Sequence, residues 1–283
     1  MNIGIVGIGL IGGSYAKALR KYPYKIYGID NNEETLKYAL DEDIVDFAYN
    51  NPKAILKELD VVFICLYPED TIKFVRNNIN YFKNGAIISD VVGVKRFIID
   101  SLEVYFEDDV EFVFAHPIAG REKIGVQYSN EDIFKNANFV ITPTKKNTDE
   151  AINLISTLAR QMGFKNVSII SDTEHDEIIS FTSQLTHVLA LALVNSDNDK
   201  YDTSLFIGDS YKDLTRIAMI NEKLWSELFI KNKDYLIRTI NRFEVELNQI
   251  KDAISKKDRL QLEELMINAT RKRGSIKWVK RLI

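Results

Sequence analysis

Cysteine is almost absent: Cys65 stands alone among 283 residues. The chain can close no disulfide on itself, which suits a reducing cytoplasmic setting. The thiol lies in an apolar, strand-like run over 61–66 and reads as a core residue. Histidine is scarce too, with three in all, and no His/Cys spacing suits a metal, so no metal is expected. There is no excess of positive charge. The net charge of −4 argues against nucleic acid or an anionic membrane as partner, and an anionic substrate would need a local cationic pocket. No unbroken apolar run approaches the length of a membrane span, and the first residues read as a strand rather than a signal peptide. Internal repeats and low-complexity segments are lacking. What remains, 46% hydrophobic and 28% charged, is the composition of a soluble globular protein with room for one large core or two modest ones.

The chain opens on Ile3-Gly4-Ile5-Val6-Gly7-Ile8-Gly9-Leu10-Ile11-Gly12. Residues 2–6 predict a short buried strand, and an apolar helix pattern follows through Leu19. Gly7, Gly9 and Gly12 make the G-x-G-x-x-G of a dinucleotide clamp. The first glycine permits the tight turn, the second lets a pyrophosphate reach the backbone, and the third lets the helix pack on the strand. A second strand over 25–29 delivers Asp30 at its carboxyl end, placed to accept hydrogen bonds from both ribose hydroxyls of an adenosine. Gly7, Gly9, Leu10, Ile11, Gly12 and Asp30 are therefore the cofactor-binding candidates. A carboxylate repels a 2′-phosphate, and Asn31 and Asn32 follow it rather than an arginine, so NAD is expected over NADP.

Strand and helix alternate through the first part of the chain. Strands are predicted at 61–66, 86–89, 111–115, 139–142 and 167–170, and helices at 33–40, 71–78, 95–105 and 149–162. This is the α/β pattern of a Rossmann-type, doubly wound, largely parallel sheet, whose ligands sit outside the carboxyl ends of the strands. The character changes near 171. Ser171 to Glu174 spell a capping box, and beyond them the pattern is all helical. The expected division is a NAD-binding domain over 1–171 and a helical substrate and dimerisation domain over 172–283. Residues 185–194 are apolar on nearly every face, which predicts a helix buried on all sides. Leu236, Ile240, Phe243, Leu247, Ile250 and Ile254 form a heptad seam, to be covered by an intrachain helix hairpin or by a second copy. The homodimer is the expectation, because the helical half has more apolar faces than it can bury alone.

Few residues can do chemistry. His116 follows the 111–115 strand in Ala115-His116-Pro117-Ile118-Ala119-Gly120-Arg121-Glu122. At a strand's carboxyl end, a neutral imidazole can take the proton from a substrate hydroxyl as hydride leaves the carbon. A loop histidine bonded to backbone is the equal alternative. His187 lies inside the apolar helix, where an isolated histidine is either a satisfied core residue or a pocket group. His175, in the first turn of the preceding helix, reads as structural at the domain junction. Arg216, in Asp213-Leu214-Thr215-Arg216-Ile217-Ala218, stands in apolar surroundings. A guanidinium there is matched by a substrate carboxylate, or by Asp213 or Asp209. Trp225 is core or closes over a ring.

Together these blocks resemble the prephenate dehydrogenase family of tyrosine biosynthesis over nearly the whole chain. The matching blocks are 7–14 with Asp30, 90–95, 116–122, 183–187, and 213–218 with Trp225. The resemblance implies a Rossmann domain, a helical dimerisation domain, and NAD+-dependent oxidation of the ring carbinol of prephenate with loss of CO2. It implies that His116 accepts the hydroxyl proton and Arg216 holds a substrate carboxylate, the two catalytic residues. His187, Glu122 and Trp225 would line the substrate pocket, and Arg121 would add positive charge for a dianion. One departure stands out: Gly93 takes the place of a serine common in the family, so a hydroxyl between substrate, His116 and cofactor is missing. Water or Ser89 would substitute, or His116 would be held more loosely. Neither a preceding mutase domain nor a following regulatory domain is expected. The rivals are an arogenate dehydrogenase, a β-hydroxyacid dehydrogenase and a non-catalytic NAD-sensing protein. The second wants a lysine on the first interdomain helix, and residues 173–199 contain none.

Overall fold

The computed structural model describes residues 1–106, 109–120, 123–198 and 200–276. The N-terminal half runs β1 (Asn2–Val6), α1 (Leu10–Leu19), β2 (Lys25–Ile29), α2 (Glu33–Asp41), β3 (Phe47–Tyr49), β4 (Val61–Ile64), α3 (Pro68–Asn78), β5 (Ala86–Asp90), α4 (Lys95–Leu102) and β6 (Val110–Val113). These strands form one sheet of order β3-β2-β1-β4-β5-β6, parallel throughout. Its strands are apolar on both faces because helices cover both. Ile3, Ile5, Val61 and Phe63 enter the core on one side, and Val6, Val62 and Ile64 enter the core on the other.

A second, three-stranded sheet follows: β7 (Ala115–Ile118), β8 (Asn138–Ile141) and, after α5 (Asp149–Gln161), β9 (Asn166–Ile169). β7 pairs antiparallel with β8, and β8 pairs parallel with β9. Two expectations are corrected here. β3 was not anticipated; with three residues and Phe47 largely exposed it is too short to show a period. The strand expected over 111–115 breaks at Phe114, and the chain leaves one sheet there to enter the other.

The break is held by a buried ion pair. Lys95 Nζ lies 2.5 Å from Asp90 Oδ2, and both side chains are fully buried. Asp90 Oδ1 accepts from the Ala115 N–H at 3.1 Å, and Lys95 Nζ donates to the Ala115 carbonyl at 2.6 Å. The pair thus satisfies both backbone groups of the residue before His116. With its remaining polar atoms bonded, it avoids the cost of an uncompensated buried charge.

The C-terminal half is helical: α6 (Asp172–Ile179), a π-helical turn (Ser180–Gln184), α7 (Leu185–Asn195), α8 (Asp209–Thr215), α9 (Glu222–Lys231), α10 (Lys233–Ser255) and α11 (Arg259–Ser275). The capping box opens α6: Ser171 Oγ accepts from Glu174 N, and the Glu174 carboxylate accepts from Ser171 N. The helix from Asp172 to Asn195 is long and apolar enough by length and composition to cross a membrane. Its apolar run is interrupted by His175, Asp176, Gln184 and His187, each hydrogen-bonded within the fold.

The expectation that 185–194 is buried on all sides is corrected. In the single chain only Leu185 and Ala190 are buried, while Leu193 and Val194 are exposed. The α10 seam divides likewise. Leu236 is buried, and Leu247, Ile250 and Ile254 are exposed. One copy leaves these apolar faces uncovered.

Candidate active site

The glycine loop has the geometry that its spacing predicts. Gly7 has φ +85°, a conformation glycine adopts without strain, and a side chain there would strike the Cys65 carbonyl. A Cβ on Gly12 would overlap the Gly7 carbonyl, so α1 packs on its strand only because the residue is glycine. Gly9 faces open space and stands at the N-cap of α1 with no side-chain cap bond, which leaves backbone donors for a phosphate. Leu10 and Ile11 form the first turn of that helix. Asp30 braces the loop: Oδ2 accepts from Ile8 N at 2.8 Å and Oδ1 from Asn32 N at 2.9 Å. A carboxylate has about four lone-pair directions, so capacity remains for ribose hydroxyls. Asn32 is occupied as the N-cap of α2.

His116 lies in β7, paired with Val140 of β8, one residue past the clamped Ala115. Its ring is fixed from behind by the helical half. His116 Nδ1 is 2.9 Å from His175 Nε2, and His175 Nδ1 is 2.7 Å from Asp176 Oδ1. Asp176 Oδ1 also accepts from Lys95 N at 2.7 Å, and Oδ2 accepts from Arg96 N at 3.0 Å, so the carboxylate caps α4. His175 and Asp176 are both buried. Burial, then the neighbouring His175 and Lys95, hold the His116 pKa well below the ordinary histidine value. Burial lowers that of His175 as well, against the opposing pull of Asp176. On its front edge, His116 Nε2 and Cε1 lie 3.5 and 3.6 Å from where a Gly93 Cβ would stand, and Leu228 of α9 lies 3.5 Å from the same point.

The helical residues converge on this edge. Trp225, one turn before Leu228 on α9, stacks on His187 with centroids 3.6 Å apart. His187 Nδ1 is 3.0 Å from the Ser183 carbonyl. The π-turn sets His175 and His187 on one side of their helix. In an unbroken α-helix, twelve residues place two side chains about 120° apart; the extra residue of a π-turn brings them to about 20°. Gln184, inside that turn, donates to the Leu228 carbonyl at 3.0 Å and accepts from Asn232 at 2.8 Å, which ties α9 to the helix.

The family model "Prephenate dehydrogenase, nucleotide-binding domain" matches residues 15–168, and "Prephenate dehydrogenase, dimerization domain" matches 171–268. The chain belongs to the prephenate dehydrogenase family. It is thereby an NAD-dependent oxidoreductase of a soluble biosynthetic family, that of tyrosine formation, and its helical half is the family's dimerisation domain. It is 29% identical over 261 residues to prephenate dehydrogenase of Bacillus subtilis, covering 90% of this chain and 70% of that one. It is 26% identical over 265 residues to cyclohexadienyl dehydrogenase of Zymomonas mobilis, covering 91% and 89%. Prephenate dehydrogenase of Aquifex aeolicus, solved with hydroxyphenyl propionate and NAD+, superposes with a TM-score of 0.89 at 30% identity and covers 98% of both chains.

Within this prephenate dehydrogenase fold, Gly93 lies between His116 and Leu228 of α9, the helix whose Trp225 stacks on His187. The expected setting of Arg216 is corrected. It is exposed in the single chain, at the carboxyl end of α8, in a turn (Arg216–Ala218) that packs on α7. Its neighbours Leu214 and Met219 are exposed too, so the apolar surroundings read from sequence do not enclose it within one copy. Arg121 and Glu122 lie outside the described residues. The sequence reading missed Asp90, Lys95 and Asp176, and it gave His175 a structural part only. A histidine-aspartate pair in the first turn of the junction helix was the available signal.

Proposed function

We propose that this chain oxidises prephenate with NAD+ to 4-hydroxyphenylpyruvate and CO2, acting in the cytoplasm as a homodimer. The proposed domains are 1–171 for the cofactor and 172–283 for substrate and dimerisation. The capping box at Ser171 and the gap between the two family matches support that division. The observation that carries the reading is His116, a histidine kept neutral, with one edge in the cleft and its other ring nitrogen bonded behind.

The glycine loop and Asp30 fit a dinucleotide: Gly9 gives the backbone an open side, Gly12 brings the helix close, and Asp30 retains acceptor capacity. NAD+, when bound, supplies the acceptor for the hydride of the ring carbinol. His116 takes the hydroxyl proton, so that the carbinol carbon can become a carbonyl. Arg216 holds the ring carboxylate until it leaves as CO2; the electron pair released closes the aromatic ring, and the ring oxygen takes the proton back from His116. His187, stacked on Trp225, lines the side of the pocket, with Glu122 and Arg121 assigned to the same pocket. The protein's contribution is orientation and exclusion of water.

The test is NADH formation by the purified protein with prephenate and, separately, with arogenate. Turnover of prephenate is expected. Turnover of arogenate alone would replace the substrate, and NAD+ binding without turnover of either would make the chain a cofactor-sensing protein.

A further inference from the structure

The family serine that would touch His116 from the cofactor side is Gly93 here, and the ring has no side chain from that position to orient it. Behind the ring the reverse holds. Asp176 receives two backbone N–H groups and the His175 Nδ1, so it acts as an acceptor at both oxygens. An acceptor there makes His175 Nδ1 the donor. A neutral His175 then offers its Nε2 lone pair, which His116 Nδ1–H must fill. The only ring nitrogen of His116 left with a lone pair is Nε2, the one that faces Gly93.

We infer that His175 and Asp176 are positioning residues for His116, fixing its tautomer and orientation so that Nε2 is the proton-accepting atom. The inference deepens the proposed function and rests on it for the identity of the proton donor. Among the described residues, the charged and titratable groups around the ring are His175 and Asp176 on α6, Lys95 on α4 and Asp90 on β5. Lys95 and Asp90 neutralise one another and clamp the backbone before His116, which leaves His175 as the direct partner of the ring. When Nε2 gains the substrate proton, the imidazolium keeps an acceptor for its Nδ1–H in His175, backed by the Asp176 carboxylate. No further reactant is needed, and the proton count is unchanged. The arrangement carries over the domain junction, since the base comes from a strand of the N-terminal half and its support from the first helix of the C-terminal half.

Because the chain has only three histidines, their ring nitrogens can be resolved one by one. Histidine-selective 15N labelling of the full chain saturated with NAD+ should show both His116 and His175 protonated at Nδ1 and bare at Nε2 at neutral pH. That reading needs no substrate, so it stands apart from whether prephenate is turned over. His175→Phe should lower kcat by about tenfold to a thousandfold, the penalty for a misplaced catalytic group, with the KM for NAD+ unchanged. It should also displace the acid limb of kcat, because the ring loses the neighbour that both opposes its charge and accepts its Nδ1–H. His175→Gln, whose Oε1 can accept from His116 Nδ1, should recover most of the lost kcat. A His116 ring protonated at Nε2, or a folded His175→Phe enzyme with wild-type kcat and pH profile, would overturn the inference.

Discussion

A buried and a half-buried histidine, both with depressed pKa values, set how the protein responds to acid. Consider unfolding as the pH falls from about 7.5 to about 5.5. In the unfolded chain each ring takes a proton near the ordinary value of about 6.5. In the folded chain His116 stays neutral, held down by burial, His175 and Lys95, and His175 is lowered by burial. The unfolded state therefore binds more protons, and stability is lost as pH falls. A ring that stays neutral throughout contributes a loss of about 1.4 kcal/mol over this interval, so the pair contributes up to about 2.7 kcal/mol. That is a large share of the roughly 5–15 kcal/mol of a typical domain. Carboxylates do not blur the window. Asp60 and Glu131 are held below their ordinary values by Lys83 and Lys21, so their stabilisation disappears only as pH falls below about 4. Urea unfolding at fixed protomer concentration across these pH values gives the slope. The wild-type protein should lose between about 1 and about 3 kcal/mol, and the His116→Asn/His175→Gln double variant should lose far less. Equal slopes in the two proteins would show that the rings are not held neutral by the fold.

Four further outcomes are expected. Asp30→Ala should weaken NAD+ and narrow its advantage over NADP+; equal kcat/KM for the two cofactors in the unmutated enzyme would refute the assignment. Arg216→Ala should raise the KM for prephenate by roughly 30- to 1,000-fold, as for a lost charged partner, and leave NAD+ affinity intact; a fall in NAD+ affinity instead would make it a cofactor or structural residue. Gly93→Ser should fold normally, since its Cβ would meet His116 and Leu228 at ordinary contact distances of 3.5 Å, and should change kcat modestly; a collapse in Tm would contradict that space. Sedimentation at micromolar concentration should show a dimer, and a fully active monomer would leave the exposed Leu193, Leu247 and Ile254 unexplained.

The parts of the fold that were legible are those with a local physical signature. The glycine loop is one, because each glycine answers a separate contact: a positive φ at Gly7, open space at Gly9, a backbone collision at Gly12. The capping box at Ser171 is another, since cap and partner lie three residues apart. The strand break at Phe114 was not legible. Nothing in Phe112-Val113-Phe114-Ala115 signals a change of sheet; the cause is Asp90 and Lys95, which reach Ala115 from 25 and 20 residues away in sequence. The partnership of His116 with His175 was hidden for the same reason, at 59 residues' separation. His187 could not be grouped with His175 by helical spacing, because the π-turn adds a residue that the α-period does not count. The exposed state of Arg216 and of the 185–194 helix was missed because an apolar stretch reads alike whether its own chain or a second copy covers it.

The site also bears on how the two halves move. Asp176 caps α4 of the N-terminal half with its carboxylate, holds His175 with the same group, and accepts from Asn232 at its backbone carbonyl. Asn232 and Gln184 then tie the junction helix to α9, which carries Trp225 and Leu228. On the other side of the cleft, Glu227 of α9 accepts from Glu69 N at the start of α3, and Asn221 donates to the Tyr67 hydroxyl in the loop that ends β4. A hinge at residue 171 would have to break the bonds of the Asp176 carboxylate to Lys95 N and Arg96 N, and would take His175 away from His116. Each broken bond would leave a buried polar group unsatisfied, at about 1–3 kcal/mol apiece. The junction is thus held by buried bonds, whereas the contacts of α9 with Glu69 and Tyr67 are exposed and part-buried.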